Sequence, residues 1–135
     1  MWQFRVVVAC DCAERALRAR NIRDEALWRA LVTSRAVLRQ EETRFAAWEA
    51  SVQVSAHSRD ASGAPGRAVF HASQAAALGP GNIAAAASDE ALRWSQVAEK
   101  SATPDISYVQ SVYWMKLRQC SPKQFARSVA YKGLP

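Results

Sequence analysis

The 135-residue sequence predicts an all-α fold, a single-domain bundle of about six to seven helices. Three observations carry that expectation. Half of the residues are hydrophobic and many of these are alanine, a composition that packs helices closely and suits few other architectures. Apolar residues recur at three- and four-residue spacings along most of the chain. No β-hairpin signal and no repeat of 20–50 residues interrupts the pattern.

The first helix is predicted over 3–20, where VVVACDCAERALRAR begins at residue 6. Val6, Cys10, Ala13 and Leu17 form one apolar stripe at helical spacing. Phe4, Val7, Asp11, Glu14 and Arg18 form the opposite one, so the helix is apolar nearly all round at first and amphipathic later. Such a helix runs through a bundle and emerges at one end, with Asp11 at the boundary. Asn21 and Asp24-Glu25 mark a break and an acidic first turn.

A second helix follows over 26–39, with Leu27, Leu31 and Leu38, together with Trp28, Val32 and Ala36, at helical spacing. The third is expected over 41–59, with Phe45, Trp48, Val52 and Ala56 on one stripe. DASGAPG (60–66) is the clearest loop. The fourth covers 66–78 and stops at GPGN (79–82), because a proline and two glycines oppose continuation. An alanine-rich fifth helix spans 83–100. Thr103-Pro104-Asp105 supplies a cap, a proline at the first helical position and an acidic first turn for a sixth helix running to about 119. Ser121-Pro122-Lys123-Gln124 opens a short seventh, which Gly133 ends.

The net charge of +6 is uneven: residues 1–40 and 101–135 each carry +4 and residues 41–100 carry −2. Basic ends allow nucleic-acid binding, but without a dense Lys/Arg run or a known motif, scattered arginines that solvate helix surfaces are the simpler reading. No apolar run approaches the roughly 18 residues of a membrane span, and residues 6–10 are too short for a signal-peptide core, so a cytoplasmic chain without membrane contact is expected.

Zinc is not expected. Cys10 and Cys12 lie about 200° apart on a helix, and Cys120, His57 and His71 are far away in sequence. No phosphate loop, dinucleotide fingerprint or nucleophile elbow is present, and no cofactor is expected. The acids carry more interest. Asp11 and Glu14 share a face that is greasy upstream and arginine-rich downstream, with Arg15 and Arg18 each one turn further on. Either this is an ordinary acid–base ladder, or Asp11 or Glu14 is a ligand anchor or general base at a pocket mouth. His71 shares a face with Arg67, Gln74 and Leu78, and would be oriented by Asp11 or Glu14 if the first and fourth helices were adjacent. The five tryptophans fill the core, or else some of them line a cavity for a planar ligand.

Asp11-Cys12-Ala13-Glu14-Arg15, the SRAVLR stretch of the second helix, His71-Ala72, and Trp114 with Leu117 ahead of Pro122 are together similar to a family of small all-helical immunity proteins of bacterial polymorphic-toxin systems. Two features depart from its pattern: GPGN where the family is richer in histidine, and the basic net charge. The resemblance implies toxin neutralisation by protein binding and carries over Asp11, Glu14, Arg15 and His71 as site candidates. The alternative is a small-molecule-binding protein, or a metal-free acid–base enzyme of specialised metabolism. In that case Asp11, Glu14 and His71 would be catalytic, with Arg15, Arg18, Phe4 and Trp114 contacting ligand. The expected partner is therefore a protein toxin or a small molecule, nucleic acid ranks last, and a homodimer through alanine-rich faces stays open.

Overall fold

A computed structural model of the chain describes residues 2–58 and 63–100. The described residues form five helices: α1 (Trp2–Ala19), α2 (Glu25–Leu38), α3 (Arg44–His57), α4 (Ala64–Leu78) and α5 (Asn82–Lys100). The all-helical expectation is met there. The sixth and seventh predicted helices, with Trp114 and Cys120, lie outside the described residues.

Local chemistry sets the boundaries. Asp24 caps α2, its carboxylate accepting the Ala26 N–H at 3.0 Å, and its other oxygen accepts from the Ser58 hydroxyl at 2.9 Å. One side chain thus starts α2 and ties it to the end of α3. The third helix begins later than its periodicity suggests. Gln40 adopts φ 62°, and the Glu41 and Glu42 N–H groups turn back to the Ala36 carbonyl. Thr43 then caps α3 by accepting the Ala46 N–H. Pro65 enters the first turn of α4, where its missing N–H costs nothing. Gly79 ends α4 at φ 75°, ψ −169°, a region that belongs to glycine.

The packing order is a ring around α4. α4 touches each of the other four helices, and around it α5 meets α1, α1 meets α2, and α2 meets α3. Small residues make this possible: α4 turns Gly66, Ala68, Val69, Ala72, Ser73, Ala75 and Ala76 inward. Three buried serines are satisfied within their own helices. Ser34, Ser73 and Ser95 each donate to the carbonyl four residues earlier in their own helix, at 2.7–3.0 Å. Two tryptophans fill the core as expected with their indole N–H groups satisfied, Trp2 by the Ala75 carbonyl and Trp28 by the Ile22 carbonyl, each at 2.9 Å.

The stripe on α3 faces solvent. α3 buries Ala47, Ser51 and Val54 and turns the predicted stripe of Phe45, Trp48, Val52 and Ala56 outward. The periodicity correctly groups these four residues. Their line faces outward because the small line, with Ser51 bonded to Gln74, brings the α3 backbone close to α4.

Candidate functional site

On α1, Val6 to Cys10 are buried all round, whereas Asp11 and Glu14 are half-buried and Arg18 is exposed, so the helix does emerge from the core at Asp11. The acid pair meets a cation there, and the cation comes from α2. Arg35, 1% exposed, donates through Nη2 to Asp11 at 2.8 Å and through Nη1 to Glu14 at 2.9 Å. The second oxygen of Glu14 accepts from Arg18 Nε at 3.3 Å, and the Arg18 guanidinium lies 5.4 Å from the centre of the Trp28 ring. The result is a clamp: one forked guanidinium holds two carboxylates one turn apart and locks α1 to α2.

The clamp sets its own electrostatics. Burial opposes the charge on Arg35, but the Cys10 sulfur, Asp11 and Glu14 outweigh it, and the guanidinium pKa is raised. Burial pushes the Cys10 thiol up to about 12, with Arg35 acting in the opposite direction and the two carboxylates adding to the rise. Cys10 is accordingly a neutral, inert core thiol at physiological pH.

Asp11 accepts from Arg35, a partner that comes from another helix and not only from the neighbouring Arg15 that the sequence offers; the Arg15 residue is exposed. The Glu14–Arg18 pair is present as expected. Phe4 is half-buried against the core further up the helix. Arg35 is the residue that sequence reasoning overlooked. The signal was available: Leu27, Leu31 and Arg35 share one line of α2, and a guanidinium on an apolar line requires a carboxylate.

His71 stands apart from the acid pair, and the expected convergence does not occur. α1 and α4 do pack together, but Asp11 and Glu14 face α2. The charges acting on His71 are Glu90 of α5 and Arg67 of α4, and the Phe70 ring meets the imidazole edge-on at 5.4 Å. Burial lowers the His71 pKa; Glu90 opposes this and Arg67 adds to it. Among the described residues no three His, Cys, Asp or Glu side chains gather closely enough to hold a metal ion.

A different feature appears on the outside of α2 and α3. A groove of about 520 Å³ lies open there, lined by Arg29 and Thr33 of α2, Glu42, and Phe45, Glu49 and Gln53 of α3. Phe45 is 66% exposed, and the groove combines this aromatic ring with charges of both signs. Among the described residues no helix is long and apolar enough to cross a membrane. Compared with protein-family models, curated proteins and solved structures, the chain matches none.

Proposed function

We propose that this protein is an immunity-like binding protein that neutralises a toxin by protein–protein contact, with the α2/α3 groove as its docking face. The observation that carries the reading is Phe45, a phenylalanine two-thirds exposed in an open groove rimmed by charged side chains. Protein interfaces draw most of their binding energy from a few such aromatic anchors surrounded by polar groups. The α3 side of the groove lies in the acidic middle of the chain, where Glu42 and Glu49 suit a partner that presents basic groups. The alternative, a ligand-binding protein or acid–base enzyme using Asp11, Glu14 and His71, draws less support. Both carboxylates are bound to a buried cation, and His71 answers to other charges.

The test is affinity capture from the producing cell with tagged wild-type protein, Phe45→Asp, and Gln3→Ala as an exposed control on α1. The expected outcome is a toxin that co-purifies with wild type and control and is at least about tenfold depleted with Phe45→Asp, a hot-spot loss of about 1.4 kcal/mol or more. Equal recovery by Phe45→Asp, or no protein partner at all, overturns the proposal.

A further inference from the structure

α3 carries two lines of residues that face different ways. The small line, Ala47, Ser51 and Val54, is buried, and Ser51 accepts from Gln74 of α4. The large line, Phe45, Trp48 and Val52, lies in the α2/α3 groove and is 66%, 46% and 44% exposed. These are three of the five large hydrophobic residues exposed among the described residues, so exposed apolar surface is concentrated in this groove. Their spacings of three and four make the seam that one helix presents to another. A helix at the edge of a bundle ordinarily turns polar residues outward, and α3 turns a seam outward instead.

We infer that the groove takes an amphipathic helix of the partner, with its apolar line on Phe45, Trp48 and Val52 and its lysine or arginine side chains against Glu42 and Glu49. The inference rests on the docking face proposed above. Geometry selects the element. From Phe45 to Val52 the seam runs two turns of α3, about 10 Å, along the groove that two packed helices leave between them. A strand has no edge to extend here, because the backbone groups of α2 and α3 are bonded within their own helices. A helix satisfies its own main chain and repeats its apolar side chains at the same spacings. Charge selects the sign. Glu42, in the connection that leads into α3, and Glu49 have no ion-pair partner among the described residues. The cation among the lining residues is Arg29, which Glu25 holds from one turn earlier. The groove therefore presents uncompensated negative charge on a chain whose net charge is +6. A second copy docked through the same face would set these acids against their own kind.

Peptides of known design test this on the full chain. A lysine peptide of about 18 residues, or about five turns, sets leucines at spacings of three and four with lysines on both sides of that line. A second peptide has glutamate in place of each lysine. A third is the lysine peptide with a central proline, which keeps the charge and breaks the helix. Amide shifts in NMR titrations locate each peptide and give its affinity, in wild type, Trp48→Ala and Glu49→Lys. Both substitutions sit at exposed positions, and unchanged α1 shifts report that each variant is folded. The lysine peptide is expected to bind wild type with a Kd of about 100 µM or tighter. It should move amides of 29–33 and 45–53 and bind at least about tenfold more tightly than either other peptide. Trp48→Ala should weaken it about tenfold. Glu49→Lys should shrink its advantage over the glutamate peptide by about threefold or more. Four results overturn the inference: no binding of the lysine peptide, equal binding of the glutamate or proline peptide, shifts centred away from the groove, or a dimer of the free chain that Trp48→Ala dissociates. The last would make the occupant a second copy. Failure here with Phe45-dependent toxin capture intact removes the helix and leaves the docking face. A bound lysine peptide with no toxin captured removes the toxin reading alone.

Discussion

Arg35 is the residue on which the α1–α2 junction depends. Its side chain is almost wholly out of water, and its charge is tolerable only because Asp11 and Glu14 each accept one of its terminal N–H groups. Removing the guanidinium leaves two half-buried carboxylates one turn apart without their shared cation, with the Arg18 contact still on Glu14. Arg35→Ala is therefore expected to destabilise the fold by about 3–5 kcal/mol in urea denaturation. Arg35→Lys should recover little, because a point ammonium cannot bond two carboxylates in a fork. Asp11→Asn should be milder than Arg35→Ala, since Glu14 still balances the guanidinium. The sequence made the acids conspicuous and their partner obscure for a physical reason. Neighbours one turn apart are visible in any helix, whereas a partner 24 positions away becomes visible only once the helices are docked.

At the scale of the element, the corner between α4 and α5 is the most exacting. The Arg44 side chain crosses from α3 to donate to the Leu78 carbonyl at 3.4 Å, so it satisfies the end of α4. Gly79 leaves room for it: a Cβ at Gly79 would lie 1.8 Å from Arg44 Nη1, on a backbone conformation other residues avoid. Gly79→Ala is expected to cost about 1–3 kcal/mol, measured as a fall in thermal or urea stability, with the helix content retained. This corner and the other breaks were legible in the sequence, and the ten ends of the five helices shift by three residues at most. Gly, Pro, Asp and Thr act on the backbone next to them, and that chemistry needs no tertiary context. The α3 stripe was not legible in the same way. Periodicity shows which residues share a line, and the choice between a large aromatic line and a small Ala47–Ser51–Val54 line was made by α4's need for a close neighbour.

For the whole molecule, pH is a direct probe of the α4/α5 packing. His71 is half-buried, and the fold lowers its pKa below the ordinary 6.5. A histidine whose folded pKa is depressed is protonated more readily in the unfolded chain. Its share of stability is therefore intact above about pH 6.5 and is lost as the pH falls below that value. Wild-type stability should decline between about pH 7 and pH 5, and His71→Gln should decline less over the same range. Equal slopes in the two proteins would mean that His71 does not report on this packing.

The ring around α4 has a consequence for how the chain is made. α1 and α2 are joined by the Arg35 clamp and α2 and α3 by the Asp24–Ser58 bond, yet each of the three leans on a helix that comes later in the sequence. A ribosome that has released residues 1–57 has released three helices with no axle. The apolar faces they turn to α4 stay open to chaperones or to other nascent chains until residues 64–78 emerge.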